Sequence, residues 1–221
     1  MRNFTVKKHT VSGSRMVAAI FLKRGMIMKH AIAIIVTALV MLAVPTSCEK
    51  SEFEFCTERC FFVFDNSVHL CGVLGGALNN MSPGTFCRIT SGTERGALVF
   101  HFEDNNGNTD KKNANGKDLT RTPVLGIYNK TGIIVGYGNL NNPPTLYAYD
   151  SQCPNCYYAT NTPSYCLTMT PAGFAVCSNC KREYNMNNGG FISKGDAGKK
   201  LLRFRRVSCT GPTGILSVQN P

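Results

Sequence analysis

"TLYAYDSQCPNC" (Thr145–Cys156) is the stretch on which the fold turns. Its first six residues are rich in aromatic side chains and read as a strand. It ends in a Cys-x-x-Cys turn, Cys153 to Cys156. "GFAVCSNC" (Gly173–Cys180) repeats the device with Cys177 and Cys180, and twenty residues separate the two pairs. A Cys-x-x-Cys turn sets two thiolates on one side of a tight loop. Two such loops facing each other make a tetrahedral sulfur cage, which suits Zn²⁺ or a single iron. This spacing is among the more specific short signals a sequence offers. Pro154 stiffens the first turn. Asn155 and Asn179 hold the same place in both, and Asn tolerates the left-handed backbone such turns use. The candidate metal ligands are Cys153, Cys156, Cys177 and Cys180, holding one Zn or Fe ion.

Outward from these turns the chain reads as mostly β. Cys60–Phe64, Ala97–Glu103 and "GILSVQ" near the end are short apolar runs of strand type. "TPVLGIYN" and "GIIVGYGN", joined by Lys130–Thr131–Gly132, predict a hairpin, and "LTMTPAGFAVC" predicts another leading to Cys177. "KKLLRFRR" (Lys199–Arg206) predicts a strand showing Arg203 and Arg205 to water, with Leu202, Phe204 and Arg206 facing the other side. Asp104–Asp118 holds almost no apolar residue and predicts a long exposed polar loop. No helix of convincing period follows Cys48, and none is signalled after either cysteine pair. His69 and His101 fall in strand-like context. No Ser/His/Asp or paired-carboxylate set stands out, so hydrolysis has no support.

The 221 residues carry a formal charge of +11, which first suggests nucleic acid. Its location removes that reading. Seven basic residues precede an apolar run and all thirteen acids follow it, leaving a balance of +4 from Cys48 onward. That is an ordinary surface with no electrostatic footprint for nucleic acid. The run itself, "MKHAIAIIVTALVMLAVPTSC" (Met28–Cys48), has a basic start and fourteen apolar-biased residues, Ala31–Val44. These make about 21 Å of helix, short of a ~30 Å hydrocarbon core. The expectation is a secretory signal at 28–47 rather than a permanent span. Its ending resembles a bacterial lipoprotein cleavage site, which implies lipidation of Cys48, a tether over 48–55 and attachment to a membrane by acyl chains. Residues 1–27 have no periodicity and read as an over-extended start. The acidic "CEKSEFE" resembles the tag of surface lipoproteins of the Bacteroidetes, so the expected location is the cell envelope, as an outer-membrane lipoprotein.

An exported protein meets oxidising conditions, where eleven cysteines normally mean disulfides. Apart from Cys48 and the four candidate ligands there remain Cys56, Cys60, Cys71, Cys87, Cys166 and Cys209, whose pairing the sequence leaves open. The alternative to a metal site is therefore a disulfide-stapled envelope protein that binds a partner and holds no metal.

"LYAYDSQCPNC…GFAVCSNCKREYNMNNGG…LLRFRRV…GILSV" resembles the Rieske family. That family carries an Ala-x-Asp-x-x-Cys-Pro-His loop, a Cys-x-x-His loop, an aromatic residue, a Gly turn, a Leu-rich strand and a closing hairpin. Ala148, Asp150, Cys153, Pro154, Cys177, Cys180, Tyr184, Gly190, Leu202 and Gly214–Val218 fall in that order, over about Val124–Val218. The resemblance implies a small β barrel or sandwich spanning 56–221. It also implies a rubredoxin- or zinc-ribbon-like subdomain at about 147–192, and electron transfer to a redox or envelope partner. The chain departs from the family at the ligands. A Rieske 2Fe–2S centre needs two His, but Asn155 and Cys180 stand in their places, and His9, His30, His69 and His101 all lie far upstream. Four thiolates on symmetric turns suit one ion better than a 2Fe–2S cluster.

Overall fold

The computed structural model describes residues 55–221. The expected leader (1–27), signal peptide (28–47), lipidation site Cys48 and tether up to residue 54 lie outside the described residues. Within them the chain is mostly β, as expected, in three antiparallel sheets and without a closed barrel. Strand β1 (Cys60–Asp65) pairs with β12 (Ile215–Asn220), which pairs with β11 (Arg206–Cys209). The largest sheet has the order β4 (Thr109–Asn113), β3 (Ala97–Asp104), β2 (Phe86–Glu94), β5 (Ile133–Gly138), β6 (Thr145–Asp150). The smallest runs β10 (Phe191–Lys194), β9 (Glu183–Asn185), β8 (Phe174–Val176), β7 (Thr168–Met169).

Period-two alternation builds two cores from one sheet. Along a strand, successive side chains face opposite sides. Ile133 and Val135 of β5, Cys87 and Ile89 of β2 and Ala148 of β6 enter a first core, with Phe62 and Phe64 of β1 and Leu216 and Val218 of β12. Phe86, Ile134, Tyr147 and Tyr149 point the other way, into a second core with Tyr184, Met186, Leu167 and the candidate ligands Cys153, Cys156 and Cys177. Strand β5 is thus buried on both faces, which is why "IIV" is continuously apolar.

Several local expectations are corrected. Only the second half of the predicted 122–139 hairpin is a strand. β5 pairs with β2 and β6, while Val124 makes a single bridge to Phe61. A strand buried on two faces gives the same apolar run as a hairpin arm, so pattern alone misassigns its neighbour. The 104–118 loop contains β4 and a short helix, Gly116–Thr120. Its buried polar residues, Asp104, Asn105 and Asp118, satisfy backbone groups. Asp104 accepts from the backbone N–H groups of Asn106 and Asn108, and Asn115 with Asp118 forms a capping box. Residues 199–205 form no strand. Leu202 and Phe204 are buried and bond the outer edge of β6, where Leu202 O accepts from Asp150 and Phe204 donates to Ala148 O. Arg206 is exposed, not inward-facing. Short helices do occur, at Asn66–His69, Gly72–Ala77 and Pro154–Thr160 among others. None of the described helices is long and apolar enough to cross a membrane.

Candidate metal centre

Tip one begins at the end of β6. Cys153 N-caps the helix Pro154–Thr160, with Pro154 in its first turn where no N–H is needed. Its backbone N–H donates to Tyr165 O (2.8 Å), and Tyr157 N–H returns to Cys153 O (2.9 Å). One helical turn brings Cys156 beside it. Tip two joins β8 to β9. Cys177 N–H donates to Arg182 O (3.0 Å) and Lys181 N–H to Cys177 O (3.0 Å). The left-handed residue of this knuckle is Lys181 (φ 60°), not either of the two asparagines. The tips therefore differ in construction although their sequences match.

All four sulfurs lie within 4.8 Å of one another. Cys153 Sγ is 3.6 Å from Cys180 Sγ, and Cys156 Sγ is 3.7 Å from Cys177 Sγ. Metal–sulfur bonds of about 2.3 Å in a tetrahedron put neighbouring sulfurs about 3.8 Å apart. A disulfide needs about 2.05 Å. Both closest contacts run between the tips, so neither Cys-x-x-Cys is closed on itself. None of the ten described cysteines is bonded to another. The set fits one ion. A 2Fe–2S cluster would need its two thiolate pairs spread to opposite ends of an iron–sulfide rhomb, and these sulfurs converge on a single point.

The surroundings donate to the sulfurs. Asn179 Nδ2 donates to Cys156 Sγ (3.3 Å). Asn155 Nδ2 donates to the Tyr184 hydroxyl oxygen (2.8 Å) and to Lys199 O (2.8 Å), and its Oδ1 accepts from Lys199 N–H (2.9 Å). Tyr184 Oη lies 3.2 Å from Cys153 Sγ, and toward a Cys153 thiolate the phenol is the donor. Burial and the neighbouring thiol raise the Tyr184 phenol, so it stays a donor. Cys153, Cys177 and Cys180 are shifted in different directions. Burial pushes Cys153 and Cys177 up. Burial acts on Cys180 in the same sense, but the Arg182 backbone N–H, its guanidinium and the adjacent thiols outweigh it and lower Cys180 to about 6. Cys180 is also the half-buried member, so the cage has one accessible edge.

The sequence named all four cysteines of the cluster, and Tyr184 only as the aromatic residue of the family pattern. It missed the part played by Asn155 and Asn179, whose side chains hold the site rather than ease its backbone. Their matching positions in the two turns were the available signal. His69 and His101 lie outside the cluster. His69 sits at the end of a helix, its Nε2 2.8 Å from Asp118 Oδ2, and His101 Nε2 is 3.3 Å from Glu94 Oε1. Cys60, Cys71 and Cys87 are buried in the first core, where desolvation raises Cys60 to about 12 and Cys71 to about 11. No known family, no curated protein and no solved structure matches this chain.

Proposed function

We propose that this is an exported lipoprotein, tethered to the cell envelope through Cys48, whose Rieske-like β domain presents one metal ion in a four-cysteine site. The convergence of four sulfurs from two tips carries the metal-centre part of this reading. The leader and the cysteine at its end, read from sequence, carry the rest. Cys153, Cys156, Cys177 and Cys180 would hold the ion as thiolates. Zinc there would clamp the tips together, and iron would supply one-electron chemistry.

The accessible Cys180 edge and the hydrogen bonds to Cys153 and Cys156 support electron transfer. A purely structural ion gains nothing from an exposed edge, whereas donors to sulfur stabilise the more negative state of a redox site. The burial of three ligands within a small core supports the clamp. Metal analysis of anaerobically purified protein decides. About one iron per chain, with a red ferric form, is the expected result. A colourless protein with about one zinc selects the clamp. Neither metal, together with mass-spectrometric proof of disulfides among the four, would remove the site. For the anchor, radiolabelled palmitate incorporation that is lost in Cys48→Ala is expected.

A further inference from the structure

We propose that the surface from Lys181 to Arg206 is a docking face for an acidic protein partner, which meets the metal cage at its Cys180 edge. The second half of that statement rests on the metal-centre reading above. Charge is the first observation. Of the sixteen lysines and arginines in residues 55–221, eight fall between Lys181 and Arg206, against two of the ten carboxylates. The remainder is balanced at eight and eight, so the whole net charge of the described chain lies on this one segment. Such a field steers and orients a complementary partner.

Position is the second observation. Lys181 and Arg182 directly follow Cys180. Arg182 Nε donates to Asp196 O (2.9 Å) and its Nη2 to Ala197 O (3.2 Å), pinning the 196–197 loop to the second tip. The Asn155 amide holds both backbone groups of Lys199 against the first tip. The basic loop is therefore fixed to both halves of the cage and is ordered before any partner arrives. Two exposed aromatic rings, Tyr158 of the first tip and Phe191 of β10, sit under its lysines. Lys199 Nζ lies 5.4 Å from the Tyr158 ring and Lys200 Nζ 5.0 Å from the Phe191 ring, the rings being 45% and 53% exposed. Exposed aromatic rings are the anchors of protein interfaces, and the lysines add the charge that steers a partner to them. The carboxylates Glu58, Asp196 and Glu183 interleave with these groups, and Glu58 accepts from Tyr158 OH (3.2 Å). A phosphate backbone or an anionic bilayer presents uniform negative charge and is repelled by them. A protein surface can match each sign in turn.

The test uses zinc-loaded protein and three labelled probes: a glutamate-rich peptide with interspersed lysines, a DNA duplex, and phosphatidylglycerol vesicles. The peptide is expected to bind tightest, with affinity falling as salt rises. Lys194→Glu/Lys199→Glu/Lys200→Glu should weaken it by about tenfold or more while zinc content and melting midpoint hold. Lys111→Glu/Lys112→Glu/Lys117→Glu, on the balanced surface, should leave it unchanged. Equal loss in both triple variants, no loss in the first, or tighter binding of DNA or vesicles would overturn the face. Its placement at the cage is read separately on iron-loaded protein. One electron passes from Fe(II) to hexacyanoferrate(III), or to a tripositive cobalt phenanthroline complex, with no bond made or broken. The anionic oxidant should react faster at low salt, and the first triple variant should reverse that order. Unchanged order in the variant sinks the placement. Failure of the wild type to hold either metal instead sinks the metal centre, and the same peptide titration run on the protein as purified still judges the face.

Discussion

The two cores share a sheet but close differently. The first is sealed by Phe62, Phe64, Phe100, Phe102 and Leu216, with rings in edge and tilted contact at 5.1–5.8 Å. The second is smaller and, besides its aromatic residues, is lined by three of the candidate ligands. Its strands are two to four residues long. Strands this short, in a sheet with one small face to bury, do not hold together by themselves. What the first core obtains from apolar area, bonds from the four clustered sulfurs to one ion would supply in part to the second. A cross-link among the four sulfurs also replaces repulsion among crowded thiolates with attraction to a cation.

Removing the metal should therefore split the molecule's stability and gives the largest effect. A structural zinc contributes on the order of 10 kcal/mol, comparable with the whole stability of a small domain. After chelation, hydrogen exchange should accelerate by orders of magnitude at Cys177, Tyr184 and Met186, and much less at Phe62, Ile133 and Val218. Cys177→Ser should reproduce that pattern. Uniform acceleration across both cores would mean that they are one unit and would dissolve the contrast.

Asp150 is the joint between the two and gives the next effect. It is fully buried at the end of β6, with Oδ2 accepting from Ile127 N–H (2.7 Å) and Oδ1 from Gln152 N–H (2.8 Å). Gly126 (φ +70°) packs so closely on this carboxyl that a Cβ there would collide with it. Burial raises its pKa from 3.8 to about 7, against the pull of the two N–H donors. The folded state thus binds the proton more tightly than the unfolded one. Stability from this group is complete below about pH 4 and is lost as pH rises through about 7, by roughly 4 kcal/mol. Metal loss in acid acts in the opposite sense, so the clean measurement is a difference. Stability of wild type minus that of Asp150→Asn should fall between pH 4 and pH 7 in urea unfolding. A flat difference would show the carboxylate to be ionised throughout.

The four clustered cysteines and the strand that leads to them were legible because both rest on local chemistry. The Cys-x-x-Cys spacing is covalent, and the aromatic run 145–150 is a short-range pattern. What escaped depends on tertiary partners. Ile133–Val135 reads as half of a hairpin until β2 and β6 are known to flank it. Asp104, Asn105 and Asp118 read as solvent-loving until the backbone groups they satisfy are in place. The helix at Pro154 escaped because about two turns carry no period. Its N-cap cysteine and N1 proline were visible, but the same residues also suit a knuckle.

Within the site, Tyr184→Phe should matter more for metal than for fold. The ring stays packed in the second core and only the hydroxyl leaves. Cys153 loses the donor 3.2 Å away, while Asn155 keeps its bonds to Lys199. A hydrogen bond to a charged sulfur is worth about 1.5–3 kcal/mol. Metal affinity measured by chelator competition should drop at least about tenfold, with the melting midpoint of the first core unchanged. An unaltered affinity would show that the phenol proton points elsewhere.

The smallest effect separates the tips themselves. Tip two turns through Lys181 at φ 60°, a conformation that costs an L-residue roughly 1–2 kcal/mol. Tip one needs no such residue because a helix makes its turn. Lys181→Gly relieves that strain but adds freedom to the unfolded chain worth about 0.4–1 kcal/mol. The net gain should be below about 1 kcal/mol. It should appear as slower metal release to a chelator, since the knuckle must open for Cys177 and Cys180 to let go. Ser178→Gly, in the same tip at an ordinary backbone angle, carries the entropic loss without the relief and should speed release. If both glycines speed release alike, the knuckle stores no strain, and the difference between the two tips lies in their hydrogen bonds alone.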